Sequence, residues 1–290
     1  MAKAELTLGT YKDNSIMKLF HYTTIDTLAH IMNNRSLKFS RLDQLDDVTE
    51  AEPFADFNPL QYIFSCSFTY DPIENIPLWK MYANMETGIR LEFDSNKLFE
   101  PVQTFLKIPF HPFKSFETPV SVNTAIKSED IFTEDYILIY WNSSQEDNLC
   151  DCIKLKKIEY LDNIKEKYRT LLKIDDVQDG ANSIHREIFF QPTDFGFYKT
   201  LYWEFQKEIR CLIYAVPYNK NQKEKSQFVS GKRVLKTKHI FVPISDYTLN
   251  NLKITLAPKA TEASRLIVES LTKGLRNVNI QNSALKGKIR

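Results

Sequence analysis

Seven glycines in 290 residues set the tightest limit on what this chain folds into. A phosphate-binding loop needs glycine, because backbone N–H groups must approach the phosphates with no side chain in the way. The sequence contains no G-x-G-x-x-G and no G-x-x-x-x-G-K-[ST]. A Rossmann dehydrogenase and a P-loop NTPase are therefore disfavoured. Any nucleotide bound here has to be held by side chains on a different scaffold.

Charge narrows the choice further. The formal net charge is +1, so no basic footprint argues for bulk binding to nucleic acid or a membrane surface. The opening "MAKAELTLGTYKD" lacks a long apolar core, and no apolar run approaches the roughly 18 residues of a membrane span. The expectation is a cytoplasmic protein without a membrane partner. Cys66, Cys150, Cys152 and Cys211 form one C-x-C and two isolated residues, which predicts reduced thiols, mostly in the core. The five histidines show no H-E-x-x-H, and the spacing gives no sign of a metal site.

Periodicity gives the elements. "GIRLEFD" alternates, with Ile89, Leu91 and Phe93 on one face and Arg90, Glu92 and Asp94 on the other. "MKLFHY" reads as a strand entering a helix that places Ile25, Leu28 and Ile31 at helical spacing. Thr23 and Asp26 have capping-box spacing at its start. "SLKFS", "LQYIFSCSF", "CIKLKKIEYL", "KEIRCLIYAV", "KHIFVPI", "LKITLAP" and "VNIQ" read as further strands. "IPLWKMYANM" and "TEASRLIVESLTKGLRN" read as helices, and 161–192 as mainly helical with a break near "DDVQDG". "NKNQKEKSQ" reads as a loop tip. The sum is an α+β fold with mixed, mostly antiparallel sheets. It is read as one domain over 1–290, with a core of about 17–100 and 197–285 and a helical insertion of about 101–196.

Three segments stand out as chemistry: "FHYTT" at 20–24, "FSCSFTYDPIENIPLWKMYANMETGIRLEFD" at 64–94, and "YKTLYWEFQKEIRCLIY" at 198–214. With "LKFS", the acidic Asp46, Asp47 and Glu50, and "ITLAPKATE", they resemble the bacterial family called domain of unknown function 2971. That family's pattern has an F-S-x-S strand, a W-x-x-Y-A block and a K-x-x-x-W-x-x-E-x-E-x-R block. Two departures are visible: Asp46 stands where the family loop has Asn, and Gln206 where it has the first of two glutamates.

A second resemblance concerns function. A His-Tyr-Thr strand followed by a helix is similar to the opening of ADP-ribosyltransferases and RNA 2′-phosphotransferases. That resemblance implies an ADP-ribosyltransferase-like core with NAD as substrate, and by analogy a toxin or phage-defence role. It implies catalytic roles for His21 and Glu208. It gives nucleotide contacts to Tyr22, Thr23 and Gln206, stacking to Trp79 or Tyr82, and pyrophosphate pairing to Arg41 or Arg210. The same residues have plainer readings. His21 reads equally as a structural histidine, Trp79 and Tyr82 as a helical core pair, and Glu208 with Arg210 as a same-face ion pair. Two other functions stay open: a metal-dependent nuclease or hydrolase using Asp46, Asp47, Glu50 and Glu208, and a non-catalytic nucleotide-sensing or interaction protein. The acceptor of a transferred group is open as well: protein, nucleic acid or water.

Overall fold

The computed structural model describes residues 17–45, 47–51, 58–106, 120–140, 148–179, 183–189, 191–217 and 234–289. The loop tip expected at 219–227 lies outside the described residues.

The chain opens with β1 (Lys18–Thr24), which runs directly into α1 (Ile25–Asn34). Thr24 caps that helix, its Oγ1 accepting the Thr27 N–H at 3.2 Å. The cap is thus one residue later than the Thr23 expected, at the last residue of the strand ladder, where Thr24 pairs with Gly88. Ile25, Leu28 and Ile31 form the buried stripe of α1. Arg35, with φ 51, turns the chain into β2 (Ser36–Arg41). A 3-10 turn, α2 (Val48–Ala51) and a second 3-10 turn precede β3 (Ile63–Thr69). Next, α3 (Ile76–Leu78) continues as a π-helical turn over Trp79–Ala83 and leads to β4 (Gly88–Asp94).

The middle of the chain holds β5 (Val102–Leu106), β6 (Val120–Thr124), α4 (Ser128–Ile131), β7 (Tyr136–Leu138) and β8 (Asn148–Cys150). It continues through β9 (Ile153–Lys157), β10 (Glu159–Leu161), α5 (Ile164–Leu171), β11 (Lys173–Asp179) and β12 (Ser183–Phe189). The last part contributes β13 (Tyr198–Thr200), β14 (Glu208–Pro217), β15 (His239–Pro243), α6 (Asp246–Asn250), β16 (Lys253–Leu256), α7 (Glu262–Leu271) and β17 (Asn279–Asn282).

An eleven-stranded sheet runs β17-β16-β4-β1-β3-β14-β9-β8, with β2 pairing β3 and β15, and β7 pairing β14. Its pairs are antiparallel except β16 with β17. The fold is therefore α+β around a mostly antiparallel sheet. One expectation is corrected: 161–192 is not mainly helical. Among the described residues there, α5 is the one α-helix, and β11 and β12 form an antiparallel hairpin. Nor is 101–196 a helical appendage, since β7 and β9 pair with β14 in the main sheet.

The site depends on how β3 shares its edges. Its whole length pairs with β14, from Thr69↔Glu208 to Ile63↔Tyr214. Its other edge is divided: Thr69 pairs with Phe20 of β1, while Ser65 pairs with Ser40 of β2. Between those two points β1 and β2 diverge and leave a fork at Ser67. One face of β14 packs Ile209, Cys211 and Ile213 into the main core. The other sends Leu212 and Tyr214 into a second core with Tyr168, Phe195 and Tyr198. Glu208 and Arg210 continue that second face toward the fork, since alternate strand residues share a face.

Candidate functional site

A cleft of about 290 Å³ opens at the fork. Its floor is a band of alternate residues: Ser65, Ser67 and Thr69 on β3, beside Glu208 and Arg210 on β14. Registered cross-strand partners lie side by side on one face, so Thr69 flanks Glu208 and Ser67 flanks Arg210. One end is walled by Leu78, Tyr82, Trp203 and Gln206, and the other by Lys38, Ser40, Leu45 and Asp47.

His21 closes the point of the fork. Its Nδ1 lies 2.9 Å from the carbonyl oxygen of Ser67. A carbonyl only accepts, so Nδ1 carries the hydrogen and Nε2 keeps a lone pair. The side chain thereby satisfies the backbone group that β1 and β2 leave uncovered. Burial lowers the His21 pKa, only partly offset by the Ser67 bond, so the ring is neutral near pH 7. It presents Nε2 as an acceptor or a base.

Glu208 and Arg210 belong to a buried cluster of four charges that reaches from the floor to Glu50 behind it. Arg210, 0% exposed, donates from Nη1 and Nη2 to Glu50 at 2.8 and 2.7 Å. Its Nε donates to Glu208 Oε1 at 2.7 Å, and Nη1 also reaches the Gly196 carbonyl at 2.8 Å. Lys199 Nζ lies 2.8 Å from Glu208 Oε2 and 3.7 Å from Glu50 Oε1. It also donates to Gln206 Oε1 at 2.9 Å, and Gln206 Nε2 donates to the Tyr82 hydroxyl at 2.6 Å. Two cations and two carboxylates offset one another, which is how charges persist in a dry interior. Burial alone would raise the Glu208 pKa; Arg210 and Lys199 overcome it and hold the group at about 2. Burial likewise opposes charge on Arg210, and Glu208 and Glu50 outweigh it, so the guanidinium stays charged.

The cleft brings together His21, Tyr22, Asp47, Tyr82, Gln206, Glu208 and Arg210 from the residues singled out in the sequence. Thr23, Arg41 and Trp79 do not line it. Arg41 is held by Asp43 at 2.7 Å and by the Leu235 carbonyl, and is spent on tying down β2. Trp79 is 0% exposed, packs edge-on against Tyr22 at 4.9 Å, and donates its indole N–H to Glu74. It serves the core, whereas Tyr82, 37% exposed, lines the cleft. Glu50 sits behind the floor as the partner of Arg210. Asp46 lies outside the described residues. Glu208 and Arg210 do form the same-face ion pair, and it is a buried one, with Glu208 4% and Arg210 0% exposed.

Sequence reading missed Lys199 and Trp203, although both stand in the K-x-x-x-W block. It also missed Ser65 and Ser67, whose signal was the alternation of "SCSFT". Two polar atoms at the β2 end are buried without a partner among the described residues: Asp47 Oδ2 and Ser65 Oγ. Cys66 lines the cleft too, but burial pushes its thiol up to about 12, which rules out a resting thiolate.

Residues 78–211 match the family described as Protein of unknown function (DUF2971), so the family resemblance holds over that segment. The match takes in the wall of Leu78, Tyr82, Trp203 and Gln206 together with Lys199, Glu208 and Arg210, and leaves out the cleft residues of β1, β2 and β3. No curated protein and no solved structure matches the chain.

Proposed function

We propose that the cleft binds NAD and that the chain cleaves it as an ADP-ribosyltransferase-like enzyme, passing ADP-ribose to an acceptor or to water. One observation carries the reading: His21 and Glu208, far apart in sequence, line a single cleft at a strand fork. In the reaction the bond from ribose C1′ to the nicotinamide nitrogen breaks, and nicotinamide leaves with the electron pair. The acceptor's oxygen or nitrogen bonds to C1′ and releases its proton. The ribose becomes positively charged on the way, and a fixed carboxylate nearby stabilises it. Glu208 suits that part because it is ionised and held rigidly by Arg210 and Lys199. His21 Nε2 accepts from a ribose hydroxyl or the carboxamide, and Tyr82 or Trp203 offers a ring face.

A second reading has its own support. Both Glu208 oxygens are already engaged by cations, at 2.7 and 2.8 Å. That favours a cleft that senses a nucleotide without cleaving it. The metal-dependent hydrolase loses ground: among the described residues no three His, Cys, Asp or Glu side chains gather as metal ligands. Glu50 and Glu208 are instead committed to Arg210 and Lys199.

Nicotinamide release from NAD, measured by chromatography with and without EDTA beside a calorimetric NAD titration, decides. Release that resists EDTA supports the transferase reading. Binding without release supports the sensor, and neither binding nor release overturns both. Release abolished by EDTA restores the metal-dependent alternative.

A further inference from the structure

We propose that the β2 end of the cleft is a ribose-phosphate subsite. Asp47 and Ser65 receive a vicinal diol there, and Lys38 meets the adjoining phosphate. The proposal deepens the NAD reading and rests on it for the identity of the whole nucleotide.

The case starts from two orphaned atoms. Asp47 is 7% exposed and Ser65 4% exposed, and both line the cleft. Asp47 Oδ1 accepts from the Thr49 N–H at 3.0 Å and from the Thr49 hydroxyl, while Oδ2 has no partner among the described residues. Ser65 Oγ has none either. A buried polar atom without a partner is costly and rare, and a ligand that supplies the missing bonds recovers the loss.

The chemistry of the two atoms selects the ligand group. A carboxylate oxygen only accepts, whereas a serine hydroxyl donates or accepts. A group that satisfies both must bring at least one donor. A diol brings two hydroxyls, each able to donate and accept. An ammonium group fits less well, because Lys38 lines the same end and would repel it. Lys38 is exposed at the mouth, where its charge is available to a phosphate on the same sugar. The register sets the spacing along the floor. Strand residues rise about 3.3 Å each, so Ser65 stands roughly 13 Å from Thr69, the partner of Glu208. The diol taken here is therefore the adenosine-side ribose, with the nicotinamide end toward Glu208.

The test uses the full chain and two probes, adenosine monophosphate and its 2′-deoxy form, in calorimetric titrations. The wild type is expected to bind the ribonucleotide at least tenfold more tightly. Asp47→Asn keeps Oδ1 for the Thr49 cap and replaces the free oxygen by a donor, so the preference should collapse toward one. Ser65→Ala should reduce it severalfold, and carries the test if Asp47→Asn does not fold. Equal affinity for both probes in the wild type overturns the subsite, as does failure to bind either probe. A preference that survives both substitutions overturns it as well. The two readings fail separately. Sugar discrimination without nicotinamide release removes the NAD-cleaving activity and leaves the subsite. NAD cleavage at normal rate and KM by Asp47→Asn removes the subsite alone.

Discussion

Arg210 uses nearly every donor it has inside the protein, on Glu50, Glu208 and the Gly196 carbonyl. No other cation offers that planar fork. Arg210→Lys should therefore cost on the order of 3–5 kcal/mol, the range for breaking a buried pair, and lower the urea midpoint accordingly. An unshifted midpoint would mean the cluster adds nothing to stability. Glu208→Gln separates two roles. An exposed pair would contribute only about 0–1 kcal/mol, but this one is buried, so the variant should be destabilised on the order of 3–5 kcal/mol. If Glu208 also stabilises the reacting ribose, NAD turnover by the still-folded variant should fall by about 10²–10³-fold. Normal turnover with a lowered melting temperature would make Glu208 structural. Tyr82 gives a cleaner contrast, because stacking needs the ring and not the hydroxyl. Tyr82→Ala should weaken NAD binding more than Tyr82→Phe, and equal titrations for the two would remove it as a stacking platform.

The fork is an arrangement of elements, and the segment 70–75 holds one side of it open. The Asn75 N–H donates to the Tyr22 hydroxyl at 3.0 Å, and its side chain to the Phe205 carbonyl at 2.9 Å. Glu74 receives the Trp79 indole at 3.0 Å, the Ala284 N–H at 2.7 Å and the Ser283 hydroxyl. The C-terminal residues are thus latched to the wall of the cleft through one carboxylate. Glu74→Gln should cost about 1.5–3 kcal/mol, as charge-assisted bonds do, and speed amide hydrogen exchange around Ala284. Unchanged exchange there would show that the tail is held by other contacts. The strands that build the fork were legible, because "LFHY", "IFSCSF" and "EIRCLIY" carry a β pattern of their own. The hairpin of β11 and β12 was not read, although Asp179-Gly180 is a hairpin turn signal. The charges crowding those strands obscured the period. The hand-over of β3 from β1 to β2 has no local signature. It follows from the length of α1 and from a register fixed only in three dimensions.

Across the whole molecule, one sheet separates two cores, and the charge cluster sits where the second core meets the cleft. Local sequence could not assign its partners: Glu50 and Arg210 are 160 residues apart, and only folding brings their acid and base together. That placement ties global stability to pH in two steps. The His21 pKa is lowered by burial from its usual 6.5, so the folded ring resists a proton that the unfolded chain accepts. Stability from this source is complete above pH 6.5 and declines as the pH falls below it. Glu208 acts lower down. Above its usual value of 4.5 it is ionised in both states and its pairing counts in full. Below that, the unfolded chain takes up the proton first, while the folded carboxylate holds out to about 2. The loss between those limits is on the order of 3 kcal/mol, since one pKa unit is about 1.4 kcal/mol. Urea midpoints measured from pH 8 to pH 3 should therefore fall gently below 6.5 and steeply below 4.5. Other carboxylates also titrate there, so the comparison that matters is with Glu208→Gln, whose midpoint should start lower and fall less steeply below 4.5. Parallel limbs for the two proteins would place the acid-labile element outside the buried cluster.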